Sequence, residues 1–305
     1  MHFDIVATGL SFPEGPIYMS DGSVLVVEIR RGTLSRVGSN GTIEVVADLG
    51  GGPNGAAVGP DGAIYVCNNG GMMWHDAQGI TIPGHTPPDY RGGSIQRVDL
   101  RSGKITTLYT ECDGRPLRGP NDIVFDRYGG FWFSDLGKSD EWTCDRGMLY
   151  YALPDGSRIT RARMGMISPN GVGLSPDQSV LYVAETYTGR LWAMDILQPG
   201  LLAPQPVPWQ TGRLIATLPG YNLLDSLKVE ESGSICVAGG GSAGGIFVFG
   251  ADGSHVRHPI PGEIVITNIC FGGSDRCDVW ITASGTGRLY KTRWPRPGLP
   301  LNYSV

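Results

Sequence analysis

Short apolar runs recur along the whole chain and are separated by turns rich in glycine and aspartate. One unit consists of a polar loop residue, an apolar strand, a Gly/Asp turn and a second apolar strand. Examples are PEGPIYMSDGSVLVVE from Pro13 and PNGAAVGPDGAIYVCN from Pro53. The unit occurs six times, and a second hairpin with an Asp-Gly or Ser-Gly turn lies between successive units. The pattern therefore predicts an all-β chain with four antiparallel strands in each unit.

Six such units predict a six-bladed β-propeller with four-stranded blades around a central channel. They fill residues 1–305 as a single domain. Residues 3–8 resemble the fourth strand of a blade, so we expect this N-terminal strand to close the last blade and remove an exposed sheet edge. A solenoid would require units of more regular length.

Composition and charge narrow the possible partners. The 47 glycines and 22 prolines fall between the apolar runs, where they indicate turns. The net charge is −5, and no Lys/Arg cluster suited to a phosphate backbone stands out, so nucleic acid is not an expected partner. No apolar stretch approaches the roughly 18 residues of a membrane span, and the N-terminus lacks signal-peptide features. The six cysteines are interpreted as reduced, which predicts a cytoplasmic location.

One polar residue precedes the first strand of every unit. Because the innermost strand of a blade lines the channel, these side chains should converge at one mouth. They are Glu14, Asn54, Asn121, Asn170, Asp225 and Asn268. An Asn before a strand is often simple turn chemistry, but two carboxylates meeting in a narrow channel repel each other unless a cation lies between them. Hard divalent cations bind such oxygen donors, so the channel is predicted to hold one metal ion.

The motifs PEGP, GPND, SPNG and the later Asp-Ser-Leu resemble the SMP-30/gluconolactonase/luciferin-regenerating enzyme-like family over essentially the whole chain. The resemblance implies a divalent metal held by Glu14, Asn170 and Asp225, with Asn121 as a further ligand or a substrate contact. It also implies that Asp225 is the catalytic acid/base, with Glu14 as the alternative proton acceptor. Many members have Asp-Gly where this chain has Asp225-Ser226, a difference that is not expected to disturb the ligand.

The same resemblance implies a metal-dependent hydrolase that opens a lactone ring, with a small-molecule sugar-acid lactone such as gluconolactone as substrate. Two alternatives remain open: an organophosphate-ester hydrolase, and a non-catalytic ligand- or protein-binding propeller with a structural metal. The oxygen donors favour Ca²⁺ first, then Mg²⁺ or Mn²⁺, and the resemblance also allows Zn²⁺ or Fe²⁺. Without a GxSxG motif or a GxGxxG motif between strand and helix, covalent and dinucleotide chemistry are not expected.

Several further residues are candidates for substrate binding. Arg118 lies three residues before Asn121, although a solvated surface arginine is an equal alternative. Trp74, His75 and Tyr90 lie in the long loop 69–92, which could line a pocket or form the core of a cap. Asp135 and Glu185 end second strands at the same mouth, where hydrogen bonds to neighbouring loops are expected more than metal ligation. The sequence leaves the oligomeric state open.

Overall fold

A computed structural model describes residues 1–242 and 244–304, and these fold almost entirely into β-structure. The N-terminal strand is β1 (Asp4–Thr8). The first three blades follow, each with four antiparallel strands. Blade 1 is β2 (Pro13–Tyr18), β3 (Val24–Glu28), β4 (Thr33–Val37) and β5 (Ile43–Asp48). Blade 2 is β6 (Pro53–Val58), β7 (Ile64–Asn68), β10 (Ser94–Val98) and β11 (Ile105–Tyr109), with a small hairpin of β8 (Trp74–Ala77) and β9 (Ile80–Pro83) inserted. A second small hairpin, β12 (Glu111–Cys112) and β13 (Arg115–Pro116), leads into blade 3, which is β14 (Pro120–Phe125), β15 (Phe131–Asp135), β16 (Gly147–Ala152) and β17 (Ile159–Met166).

The remaining three blades complete the ring. Blade 4 is β18 (Pro169–Leu174), β19 (Val180–Glu185), β20 (Arg190–Gln198) and β22 (Arg213–Thr217), with the short β21 (Leu201–Leu202) at the end of β20. Blade 5 is β23 (Asn222–Val229), β24 (Ile235–Gly241), β25 (Gly245–Phe249) and β26 (His255–Pro259). Blade 6 contains β27 (Ile266–Gly272), β28 (Asp278–Ala283) and β29 (Arg288–Arg293), and a 3₁₀ helix, Ser284–Thr286, lies between the last two.

Each innermost strand packs against the innermost strand of the next blade, and that of blade 6 packs against that of blade 1. The predicted six-bladed propeller is therefore confirmed. In blade 6, β1 pairs antiparallel with β29, from Asp4 opposite Lys291 to Thr8 opposite Arg288. The N-terminal strand thus occupies the outer edge of the sheet that ends the chain, where it covers the free hydrogen-bonding groups of β29.

The hydrophobic core is divided among the spaces between neighbouring blades. The second strands are buried on both faces, so they have nearly continuous apolar sequences such as VLVVE in β3. Between blades 3 and 4, for example, Trp132 and Leu149 pack with Val183 and Trp192. Six clusters of this kind hold the blades together and fix the channel geometry.

The C-terminal tail crosses the far mouth of the channel, opposite the polar ring. The amide N–H of Leu299 donates to the carbonyl of Val229 (2.9 Å), and Asn302 donates to the carbonyl of Phe125 (2.8 Å). The ring of Tyr303 packs edge-on against Phe125, with centroids 5.8 Å apart. The tail and the inner strands enclose an apolar cavity of about 110 Å³ at this end of the channel.

Two further features bear on the sequence predictions. All six cysteines are free thiols, and four of them are buried. Within the described ranges, no helix has the length and apolar character needed to cross a bilayer.

Candidate active site

The polar ring is positioned by an irregularity at the start of every innermost strand. In each blade the ladder between the first and second strands shifts register close to the ring residue, as between Glu14 and Ile17 in blade 1. The same shift occurs in the other five blades. A bulge of this kind releases side chains from the regular alternation and redirects them. The shift explains why these polar residues point into the channel.

Side chains from blades 5 and 6 contact Glu14 of blade 1, which is almost completely buried. Asn268 Nδ2 donates to Glu14 Oε2 at 2.6 Å, and Ser226 Oγ donates to Glu14 Oε1 at 3.2 Å. The same Ser226 hydroxyl lies 3.5 Å from Asn170 Oδ1. Ser226, the residue next to Asp225, therefore lies between Glu14 and Asn170 and contacts both side chains.

Asn121 presents an unused acceptor in the same ring. Its side-chain oxygen is buried and has no hydrogen-bond partner among the described residues, while the residue as a whole is only 3% exposed. Leaving a buried acceptor unpaired carries a desolvation penalty. A cation, or a polar group of a substrate, would satisfy this oxygen, and both roles of Asn121 stay predictions.

The carboxylates of the channel perturb one another. Burial raises the pKa of Glu14 well above its usual value, and the charges of Asp225 and Asp122 raise it further. Burial likewise raises the pKa of Asp225 to about 7, against the lowering effect of a hydrogen bond with Asn170. Among the residues that the structure describes, the ammonium paired with this group is that of Lys228, whose Nζ lies 3.9 Å from Asp122 Oδ2. Three carboxylates against one ammonium leave two negative charges when all are ionised, which one divalent cation would balance.

Asp122 and Ser226 are channel residues that the sequence analysis did not assign. Asp122 is 1% exposed, and its carboxylate accepts hydrogen bonds from the backbone of Ile123 (2.9 Å) and Val172 (3.1 Å). Both residues directly follow a ring residue, at a position that is glycine in blades 1, 2 and 4. A polar side chain in place of that glycine was the signal that could have identified them.

The candidate metal ligands rely on amide oxygens as well as carboxylates. The part of the chain that the structure describes contains no group of three or more His, Cys, Asp or Glu side chains arranged to hold a metal. Glu14 and Asp225 supply the charge, while Asn170 and Asn121 supply neutral oxygens of the kind that Ca²⁺ accepts. The residues present therefore fit a hard divalent cation.

A cluster of Tyr90, Arg118 and Lys138 lies at the mouth between blades 2 and 3. The Arg118 guanidinium lies 5.3 Å from the Tyr90 ring centroid, and the Lys138 ammonium lies 5.0 Å from it. Arg118 Nε also donates to Asp145 at 2.8 Å. Lys138 was not among the sequence candidates; burial lowers its pKa to about 8. The cluster offers cations and an aromatic face beside the polar ring.

The β8–β9 hairpin of blade 2 extends across blade 1. The Trp74 ring packs against Phe12 with centroids 4.9 Å apart, and the adjacent Asp76 pairs with Arg30 at 2.7 Å. His75 is exposed on the same hairpin. The structure thus gives Trp74 a packing role in the cap, and substrate binding by Trp74 and His75 stays a prediction.

Asp135 and Glu185 support loops, as expected from their positions at strand ends. The Asp135 carboxylate accepts hydrogen bonds from the backbone N–H groups of Arg118 (2.8 Å) and Gly119 (2.6 Å). Glu185 accepts one from the N–H of Ile167 at 2.8 Å. Each carboxylate therefore fixes the segment that leads into the innermost strand of its own blade.

Comparison with known proteins agrees with this architecture. The model of a family described as SMP-30/Gluconolactonase/LRE-like region matches residues 12–285, which include every residue of the polar ring. The chain belongs to this family. The match confirms the resemblance seen in the PEGP, GPND and SPNG motifs.

Four related proteins share between 16% and 27% identity with this chain. A gluconolactonase of Zymomonas mobilis is 22% identical, with 88% of this chain and 75% of that protein covered. The lactonase drp35 of Staphylococcus epidermidis is 27% identical, with 92% and 85% covered. Among solved structures, a luciferin-regenerating enzyme has a TM-score of 0.73 at 16% identity, with 100% of this chain and 99% of that chain covered. A gluconolactonase of Xanthomonas campestris has a TM-score of 0.74 at 23% identity, with 96% and 89% covered.

Proposed function

We propose that this family member is a metal-dependent hydrolase that opens the ring of a lactone, with a sugar-acid lactone such as gluconolactone as its substrate. The observation that carries the proposal is the meeting of Glu14 and Asp225 in a buried channel mouth that has excess negative charge. Relatives named gluconolactonase and lactonase support the reaction class.

In this proposal Glu14, Asn170, Asp225 and Asn121 hold one divalent cation, with Ca²⁺ as the first choice. When bound, the cation would act as a Lewis acid toward the lactone carbonyl and lower the pKa of a water molecule. Asp122 and Ser226 lie beside these donors and complete the polar lining of the channel.

Asp225 acts as the general base and then as the general acid. Its carboxylate accepts a proton from the water that attacks the lactone carbonyl carbon. As the bond between the carbonyl carbon and the ring oxygen breaks, Asp225 returns that proton to the departing oxygen. The product is an open-chain hydroxy acid, so one water is consumed in each turnover. Glu14 is the alternative proton acceptor.

Arg118 and Tyr90 would contact hydroxyl groups of the substrate from the blade 2–blade 3 side of the mouth, where Lys138 adds a second cation. The six free thiols support a reducing, cytoplasmic environment.

The proposal is tested with a pH-indicator assay on γ- and δ-aldonolactones, after chelation and after each divalent cation is restored. We expect acid release above the spontaneous rate only with metal present. Asp225→Asn should lower kcat by about 10²- to 10⁴-fold, the usual contribution of general acid–base catalysis. The matched control is Asp195→Asn, because Asp195 is exposed on an outer part of blade 4.

Undiminished turnover in metal-free protein, or in Asp225→Asn, would contradict the mechanism. An organophosphate ester in the same panel tests the alternative hypothesis, because hydrolysis of this ester instead of the lactones would favour an organophosphate-ester hydrolase. Metal binding without hydrolysis of any substrate would favour a binding propeller.

A further inference from the structure

A second concave site lies on the outer side of the propeller, away from the channel. We call it the rim pocket. It has a volume of about 580 Å³ and lies between the outermost strand of blade 3, β17, and the segment 203–212 that leads from β21 to β22 in blade 4. Its principal lining residues are Arg146, Arg161, Arg163, Gln205, Trp209 and Thr211.

Two buried polar atoms of the rim pocket have no partner. Among the described residues, Arg163 Nε and Thr211 Oγ1 are buried and make no hydrogen bond. Thr211 is only 7% exposed, so solvent does not readily satisfy its hydroxyl. Buried donors without partners are rare in folded proteins, and they indicate a missing ligand or water.

The pocket also concentrates positive charge that is not neutralised. Arg161 pairs with Asp113 at 2.9 Å. In contrast, Arg163 donates to the carbonyl of Ala203 (2.6 Å) and Arg146 to that of Gly165 (3.0 Å), and within the described ranges neither forms a salt bridge. Burial lowers the pKa of Arg163, with no carboxylate to offset it. The chain as a whole has a net charge of −5, so this positively charged cluster is opposite in sign to the protein's overall charge.

Trp209 forms an exposed wall of the same pocket. Its side chain is 84% exposed, although a tryptophan ring normally gains from burial. Trp209 lines the same pocket as the guanidinium groups, and an exposed ring there offers a stacking surface for a flat ligand. The pocket therefore presents a cationic end and an aromatic face.

We propose that the rim pocket binds a phosphate-bearing small molecule with a flat ring, of the nucleotide type. Guanidinium groups bind phosphate oxygens with paired hydrogen bonds, and their planar geometry favours phosphate over a simple point charge. The phosphate would accept hydrogen bonds from Arg163 and Arg146 and from the Thr211 hydroxyl, while the ring stacks on Trp209. This site goes beyond the proposed lactonase function and does not depend on it.

Calorimetric titration with AMP, inorganic phosphate and adenosine measures how much the phosphate and the ring each contribute to binding. We expect AMP to bind most tightly, phosphate more weakly and adenosine weakest, with quenching of tryptophan fluorescence by AMP. Arg163→Gln should weaken AMP binding by at least about tenfold through the loss of a charge-assisted contact. Trp209→Ala should weaken AMP binding by about tenfold, the scale of base stacking, and leave phosphate binding unchanged.

The matched control is Arg257→Gln, which removes an exposed arginine from β26 in blade 5. It should leave AMP binding unchanged, and lactone hydrolysis should be unaffected by every rim-pocket variant. Arg146→Gln provides a second test if Arg163→Gln fails to fold. Absence of AMP binding to the wild-type protein would overturn the proposal. Equal binding of AMP to the wild type and to the arginine variants would also overturn it.

Discussion

The carboxylates of the channel have a free-energy cost of desolvation that a bound ligand would offset. Glu14 is buried, Asp225 is partly buried, and both lie near Asp122, whose charge raises the pKa of each. A protein that needed only stability would gain from apolar residues at these positions. Their presence in the channel mouth therefore supports a site that is completed by a cation.

This arrangement makes the stability of the metal-free protein depend on pH. The native pKa of Asp225 is about 7, above the value near 4 of an unfolded aspartate. Between these two values Asp225 holds a proton in the native state that it has lost in the unfolded state, so its own contribution to the free energy of unfolding falls as pH rises from about 4 to about 7. We expect this contribution as a fall over this range in the urea midpoint of the chelated wild type relative to a variant that lacks the carboxyl group.

Asp225→Asn should flatten that dependence, because the amide does not titrate, and Asp195→Asn should not. Added Ca²⁺ should raise the midpoint at pH 7 more than at pH 4, since the ligands must be deprotonated to bind. Parallel pH profiles for the chelated wild type and for Asp225→Asn would show that Asp225 does not carry the raised pKa.

At the scale of elements, neighbouring innermost strands lie so close together at certain positions that only glycine fits there. A Cβ on Gly171 would lie 2.6 Å from the carbonyl oxygen of Asp225 and 2.7 Å from the amide nitrogen of Leu227. A Cβ on Gly55 would likewise lie too close to the backbone of Asn121 and Asp122 in the next blade. The glycine that follows a ring residue therefore sets the width of the channel at the level of the candidate ligands.

Gly171→Ala should push blade 5 away from blade 4. We expect a loss of about 1–3 kcal/mol in the free energy of unfolding, as for other overpacked sites, and weaker Ca²⁺ binding in a chelator-competition titration. Gly114→Ala is the control, because its Cβ meets no atom within 4 Å and only its positive φ of 71° is unfavourable. Unchanged Ca²⁺ affinity in Gly171→Ala would contradict the proposed control of channel width.

Most of the elements could be predicted from the sequence because strands and turns are encoded locally. Alternating apolar runs, Asp-Gly turns and the recurring polar residue were enough to give six blades and the ring from Glu14 to Asn268. Asp122 and Ser226 were missed because strict alternation points them away from the channel. The register shifts at the strand starts change that alternation, and a bulge has no clear local signature.

At the scale of the whole molecule, the features that escaped prediction are those that join distant parts of the chain. The rim pocket combines Arg146 and Arg163 with Trp209 from another blade, so no sequence window contains it. The closure of the far mouth brings the tail residue Tyr303 against Phe125, from blade 3. Neither contact follows from periodicity, because each depends on where the completed ring places its surfaces.

The tail should stabilise the ring without taking part in the chemistry at the opposite mouth. Tyr303 packs against the clusters on both sides of blade 2 and edge-on against Phe125. Tyr303→Ala should therefore lower the free energy of unfolding by about 1–3 kcal/mol, measured by urea denaturation, and leave kcat for lactone hydrolysis unchanged. Tyr128→Ala is the control, since Tyr128 is 72% exposed and its loss should cost little. A fall in kcat without a fall in stability would instead mean that the far mouth communicates with the polar ring through the inner strands, because these strands line both ends of the channel.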